Sequence, residues 1–340
     1  MGATQNSQGV WALAWKRLKA DRVGMFCLAI VTAFSLLVLL AALDVVGKNW
    51  QKEIGVPNAP PHLVGARPAE AIGVIAVPKG PNVDISDIDP LAPRYKEWEE
   101  AAKKYKTEEQ PRAETLIFGG DRLGRDILQK VIKGAEVSII VGLLAALVAT
   151  TIGTLLGAIS GFFGGKIGDL LEWVYNVFTA IPSILLIFAF AVIFGRGIMS
   201  VVMILGLTGW TGVYRLVRAE FMKHRQREYV RSAEAIGASQ SSRIFKHIFP
   251  NVSHVSLVQL SLLVVGFIKS EVILSYLGLG VSVDQVSWGT MLSEAQSELI
   301  LGYWWQLAAV TVSMAIFVTA FALFTDALRD ALDPKLRGLE

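Results

Sequence analysis

Val137-Ser-Ile-Ile-Val-Gly-Leu-Leu-Ala-Ala-Leu-Val-Ala-Thr-Thr-Ile-Gly-Thr-Leu-Leu-Gly-Ala-Ile-Ser-Gly161 runs for 25 residues without a charged side chain. At about 1.5 Å per residue, a helix of that length outreaches a hydrocarbon core about 30 Å thick. Five further stretches are similar: Val23–Leu43, Trp173–Gly195, Gly197–Tyr214, Val252–Tyr276 and Tyr303–Thr325. In lipid every backbone N–H and C=O must be satisfied within its own element or a closed barrel. The runs are too long and too poor in alternation for barrel strands, so they read as helices. The expected fold is therefore an all-α integral membrane protein with six transmembrane helices.

The composition agrees. Of 340 residues 53% are hydrophobic and 18% charged, against about 25% charged in soluble domains. That excludes an ordinary cytosolic enzyme and a disordered chain. The lone Cys27 excludes a disulfide scaffold. Val23–Leu43 is longer than the apolar core of a cleavable signal and follows 22 residues, so it reads as a retained anchor.

Basic residues set the sidedness. With the N-terminus in the cytosol, six spans return the C-terminus there. The cytosolic segments then hold 16 Lys and Arg, while the two short outer loops hold only Arg196. Segment 46–136 carries 14, but loops that long largely escape the positive-inside bias. The resulting division is a cytosolic interfacial segment 1–22, a first span 23–43, and an extracytoplasmic loop 44–136. The membrane core 137–325 follows, with a cytosolic loop at 215–250, and then a cytosolic tail 326–340.

The N-terminal Trp11, Leu13 and Trp15 with Lys16, Arg17, Lys19 and Arg22 suit the lipid headgroup layer, or a plain topology anchor. Segment 46–136 holds 9 of the 12 prolines, and its front half reads as irregular chain. Tyr95, Trp98, Ala102 and Tyr105 recur at helical spacing and predict one amphipathic helix over 92–107. Asp84, Asp87 and Asp89 lack the central glycine and closing glutamate of a calcium loop.

Catalytic and nucleotide-binding patterns are missing. Gly161-Phe-Phe-Gly-Gly-Lys166 has neither the first glycine nor the hydroxyl residue of a P-loop. The four histidines stand at no zinc spacing, and no nucleophile elbow occurs. Neither catalysis nor a metal site of its own is expected, so uphill transport needs an ion gradient or another protein's energy.

The loop after span four reads Glu228-Tyr-Val-Arg-Ser-Ala233-Glu-Ala-Ile-Gly237-Ala-Ser-Gln-Ser-Ser-Arg-Ile-Phe-Lys-His-Ile-Phe-Pro250-Asn251. It predicts a helix from about Glu220, a turn at Gly237, and a second helix ending before Pro250. Such a helical hairpin is a handle for a partner. It resembles the EAA loop of ABC-importer permeases, where a glycine stands thirteen residues before a proline, here Gly237 and Pro250. Ala233 takes the second alanine position, while Arg231, Ser232, His247 and Phe249 depart from the pattern. Phe118-Gly-Gly-Asp121-Arg-Leu-Gly124-Arg125-Asp126, leading to Gly134-Ala-Glu-Val-Ser138, is similar to the signature ahead of the second span in dipeptide, oligopeptide and nickel permeases. Leu274-Ser-Tyr-Leu-Gly278-Leu-Gly280, Ser287-Trp-Gly289 and Asp326-Ala-Leu-Arg329-Asp330 resemble that family's C-terminal pattern, with the C-type subunit the nearest form. The likeness covers about residues 10–337 and leaves out the long outer segment 46–117.

The resemblance implies a type I ABC-importer permease fold in a bacterial inner membrane. It implies pairing with a B-type permease, two cytosolic ATPases carrying ATP and magnesium, an extracytoplasmic binding protein, and peptide cargo. No nucleic acid is involved. It assigns ATPase coupling to Glu228, Ala233, Gly237 and Pro250. Lys269 and Glu271 lie within span five, where charge is costly and faces protein or water; each is a candidate for the pathway or for the permease–permease interface. Glu172 reads as an interface-level residue and Pro182 as a kink in span three. Gly153 and Gly157 read as sites of close helix packing. Competing readings are nickel or another small solute as cargo, an ion-coupled secondary carrier, and a membrane sensor. The carrier lacks internal duplication and a midplane acidic relay. Nickel would call for His or acids along the pathway, where the spans offer only His254.

The sidedness is testable by cysteine-accessibility labelling. A cysteine at position 100 should react from outside the cell and one at 235 only from inside; the reverse pattern contradicts the topology.

Overall fold

The computed structural model describes residues 10–66, 91–104 and 112–332. The acidic triplet Asp84, Asp87 and Asp89, Tyr105 and the last eight residues lie outside these. Contacts divide the chain into two units, one formed by Met1–Gln51 with Leu128–Glu340 and the other by Lys52–Ile127.

The smaller unit carries α3 (Ala92–Lys104), the helix anticipated from its aromatic spacing, with the Tyr95 and Trp98 rings 5.8 Å apart. The rest of its described chain is irregular, joined by isolated bridges such as Glu53 with Arg125 and Pro61 with Leu116. The Gly-Asp-Arg-Leu-Gly-Arg-Asp run is a structural knot. Buried Asp121 accepts hydrogen bonds from the Leu123 and Arg125 amides, both at 2.9 Å, and from Arg125 Nε at 2.6 Å. Gly124 has φ +78°, and a Cβ there would stand 2.0 Å from the Gly55 carbonyl oxygen, so only glycine fits.

The larger unit is helical. It comprises α1 (Val10–Ala20), α2 (Arg22–Ala42), α4 (Ile127–Phe163), α5 (Gly165–Ala180), α6 (Ser183–Phe194), α7 (Ile198–Thr208), α8 (Thr211–Arg225) and α9 (Glu228–Ala235). Next come α10 (Gln240–Ser242), a π-helical turn Arg243–Ile248, α11 (Phe249–Tyr276), α12 (Trp288–Ile300) and α13 (Trp305–Leu332). Among the described residues four helices are long and apolar enough to cross a membrane, or up to six if each of two bent pairs counts as one span. Phe26, Val192, Ile193 and Met199 lie exposed, an apolar exterior suited to lipid.

One expectation changes here. The run Trp173–Gly195 is not a single kinked helix but two helices, α5 and α6, that meet at 91°. The proline ring drives the residue before it out of the helical region, and Ile181 accordingly sits at φ −97°, ψ 132°. At 16 and 12 residues, neither helix reaches across about 30 Å alone. Between α11 and α13, the second half of the connection forms α12. Its Ser287–Thr290 capping box satisfies the first amides. Trp288 is fully buried, its indole N–H donating to the Val131 carbonyl at 3.3 Å and its amide to Ser138 Oγ at 3.2 Å.

The long helix α4 organises the unit through its glycines. A Cβ on Gly153, Gly157 or Gly161 would stand 2.6–2.8 Å from the carbonyl oxygens of Trp210, which caps α8, and of Tyr214 and Arg218 on α8. Backbone therefore meets backbone along that seam, the close approach that small residues allow in membranes. Gly142 admits Ile268 of α11 in the same way, and Gly134 admits Trp288. At the other side α2 lies on α13, with Phe34 and Phe317 rings 5.2 Å apart, and Leu18 of α1 packs on Ala331 and Leu332.

Gly157→Leu places a branched side chain against the α8 backbone. It should destabilise the folded state by more than the ~1–3 kcal/mol typical of overpacking, read as a lower thermal midpoint in detergent. An unchanged midpoint contradicts the seam.

Candidate functional site

The hairpin is shaped by three local decisions. At Gln226–Arg227 the chain leaves α8 and restarts, with Glu228 in the first turn of α9, where a carboxylate complements the helix dipole. At the far end of α9 the chain closes a Schellman motif. The Gly237 amide donates to the Glu234 carbonyl at 3.0 Å and the Ala238 amide to the Ala233 carbonyl at 2.9 Å. Gly237 takes φ +85°, which any Cβ would strain, and nothing lies within 4 Å on its side-chain side. Ser239 then caps the returning arm through the Ser242 amide.

The returning arm does not end before Pro250, as the sequence suggested. Gln240–Tyr276 forms a continuous run of 37 helical residues, with Pro250 in the first turn of α11. Proline has no N–H for the carbonyl four residues back and its ring crowds it. The wider π-turn at Arg243–Ile248 relieves that conflict just ahead of the proline. Asn251 Nδ2 donates to the His247 carbonyl at 2.7 Å, occupying an acceptor near the irregularity. The predicted first helix is also divided, since α8 ends at Arg225 before α9 begins.

The inner face of the hairpin is locked to the helices beneath it. Val230 of α9 and Ile244 and Ile248 of the returning arm join Phe162 of α4 and Val217 and Phe221 of α8 in one buried cluster. Each such side chain contributes about 1.5–3 kcal/mol when fully buried, as an upper bound. Arg243 bridges to Glu234 across the hairpin at 2.6 Å. Tyr229 and His224 Nδ1 lie 2.7 Å apart; burial raises the tyrosine pKa, so its hydroxyl remains protonated and can donate. Ser160 of α4, Glu172 of α5 and Arg218 of α8 form a second clamp, Arg218 Nη1 lying 3.1 Å from Glu172 Oε2. Tyr214 adds its hydroxyl at 3.0 Å from Ser160 and stacks on Tyr175.

The four residues assigned to coupling are not one cluster. Ala233 is buried; Glu228, Gly237 and Pro250 are exposed at separate turns. They shape the hairpin. Among the charged and polar side chains that the hairpin exposes stand two large apolar ones, Ile236 at 87% and Phe245 at 60% exposed. Sequence reading missed this pair, although Phe245 falls out of phase with Ile244 and Ile248.

Lys269 and Glu271 part company. Lys269 is exposed on α11, in a stripe with Leu262, Gly266 and Ile273 that no other described residue covers. Glu271 lies on the opposite side of the burial divide. It is fully buried inside its own chain, accepting from Ser275 Oγ at 2.6 Å, with Ser138 and Ser287 beside it. Ser275 also supports the turn after α11, where Gly280 packs directly on it and Gly278 has φ +76°.

These features define a multi-span helical membrane protein with a rigid helical hairpin attached to its core. Residues 153–338 match the family of binding-protein-dependent transport system inner membrane components, and residues 9–61 match the N-terminal transmembrane domain of oligopeptide transport permease C. The chain belongs to this ABC permease family. It is 36% identical over 247 residues to the oligopeptide transport system permease protein OppC of Bacillus subtilis (strain 168), covering 73% of this chain and 81% of that one. It is 28% identical over 329 residues to the dipeptide permease protein DppC of Lactococcus lactis subsp. cremoris (strain MG1363), covering 95% and 90%. To the glutathione permease protein GsiD of Shigella flexneri serotype 5b (strain 8401) it is 39% identical over 223 residues, covering 65% and 73%.

Glu271→Ala strands buried hydroxyls and should cost about 1–3 kcal/mol of stability, while Glu271→Gln keeps an acceptor. Lys269→Ala should leave stability within about 0.5 kcal/mol, as for exposed sites. Thermal unfolding of the variants checks both; the opposite ranking contradicts the assignment.

Proposed function

We propose that this chain is the C-type permease subunit of an ATP-driven importer of peptides in a bacterial inner membrane. In this reading the two bent pairs each count as one span, giving six, with both termini cytosolic and segment 44–136 outside. A B-type permease completes the pathway, an extracytoplasmic binding protein delivers cargo, and two cytosolic ATPases bind ATP and magnesium. The peptide assignment is supported by the cargo named for the relatives, which are oligopeptides, dipeptides and glutathione. Lys269, exposed on α11, is the group we assign to the pathway, where it would attract a peptide carboxylate.

One observation carries the mechanism: the hairpin's returning arm and α11 are continuous from Gln240 to Tyr276. Ile236 and Phe245 seat in a groove of the ATPase. When ATP closes the ATPases, the hairpin follows, and α11 with α4 and α8 rocks as a body. Swinging a two-state pathway from about 1:99 to 99:1 needs about 5.5 kcal/mol of differential binding, which the ATPase must deliver through this contact. Alternation of a central site between the two sides follows from such rocking.

Ile236→Ser and Phe245→Ser alter exposed side chains. Together they should leave membrane level and thermal midpoint near wild type while weakening ATPase co-purification by about thirtyfold or more, the scale of an interface hot spot. Gly237→Gln should likewise insert normally but lose peptide uptake. Wild-type uptake and full ATPase retention in these variants contradict the coupling role.

A further inference from the structure

Behind the hairpin lies a cavity of about 710 Å³, within the range of small-molecule sites. Its wall includes Arg218, Arg225, Arg231 and Arg243, against one acidic residue, Glu234, among the described residues that line it. Arg218 is engaged by Glu172, and Arg243 by Glu234. Arg225 and Arg231 form no ion pair among the described residues, and the buried Nε of Arg243 has no hydrogen-bond partner. The Arg225 and Arg243 guanidinium groups lie 5.9 and 5.4 Å from the centre of the same Phe162 ring. Two cations are thus gathered over one buried aromatic, with more positive charge around the cavity than the protein itself neutralises.

The cavity's place in the fold narrows the occupant. Its floor is Ser160–Gly165, where the apolar run of α4 ends and the chain turns through Gly164 and Gly165 at φ +62° and +51°. That is headgroup depth for a spanning helix. Guanidinium forks match phosphate oxygens geometrically as well as electrically, and basic pockets at helix ends suit anionic headgroups.

We propose that this arginine-lined cavity binds a phosphate group, brought either by an anionic glycerophospholipid headgroup or by a free phosphate ion. Bound there, the anion would tie α9 and the returning arm to the end of α4 and stiffen the hairpin. The proposal stands apart from the coupling reading, because binding is measured on the permease chain with no ATPase present.

The full chain is placed in phosphatidylcholine nanodiscs, and backbone hydrogen exchange over 225–243 is followed. One arm replaces part of the lipid with phosphatidylglycerol; the other adds inorganic phosphate to phosphatidylcholine discs. Slowed exchange with phosphatidylglycerol alone identifies the lipid, and slowed exchange with phosphate identifies the free anion. Arg225→Gln with Arg231→Gln should raise the half-saturating concentration at least about tenfold, the cost of a charge-assisted contact. Arg231→Gln alone, at an exposed position, serves if the double variant does not fold. No slowing by either probe, or slowing unchanged in the variants, overturns the proposal.

Discussion

Pro250 can neither donate a helical hydrogen bond nor let the preceding turn close at normal pitch, yet the chain must pass through it without losing its helix. The π-turn over Arg243–Ile248 satisfies both demands, and the result is one 37-residue helix rather than a loop leading into a span. What the hairpin can transmit depends on this. A flexible joint at the proline would absorb displacement; a continuous helix with a widened turn carries it into α11.

The second requirement is that the hairpin's base does not slide on its support. The Gly153, Gly157 and Gly161 seam brings the α4 and α8 backbones together, and the Val230–Ile244–Ile248 cluster seats the hairpin on that seam. The Arg218–Glu172 pair adds α5 to the same body. Exposed Ile236 and Phe245 then stand on a platform fixed from below. Burial in the hairpin thus holds the fold, while Ile236 and Phe245 are left exposed.

Much of this was legible in the sequence, for identifiable reasons. Runs of uncharged residues announce helices because lipid leaves the backbone no other solution, and Gly237 announces a left-handed turn because few other residues tolerate one. Glycines four apart announced the α4 seam. The pattern failed where both neighbours of a helix are apolar. Protein interior and lipid then look alike in one dimension, so the burial of Glu271 and the exposure of Lys269, two residues apart, could not be ranked. Trp173–Gly195 read as one kinked helix because apolarity does not record the 91° turn at Ile181-Pro182. Pro250 read as a stop because the sequence does not announce the π-turn that lets the helix run on through it. The helix α12 is short and lies between two apolar runs, so its Ser287–Thr290 capping box is the one local signal of it.

The central claim is that the returning arm and α11 move as one rigid lever. Spin labels at positions 240 and 266, in the importer reconstituted with its partner subunits, measure this directly by pulsed electron–electron resonance. The account predicts the same narrow distance distribution without nucleotide and with ATP trapped, while labels on 240 and the companion permease change separation. A shift or broadening of the 240–266 distance on ATP trapping would mean that the helix yields at Pro250, and would contradict it.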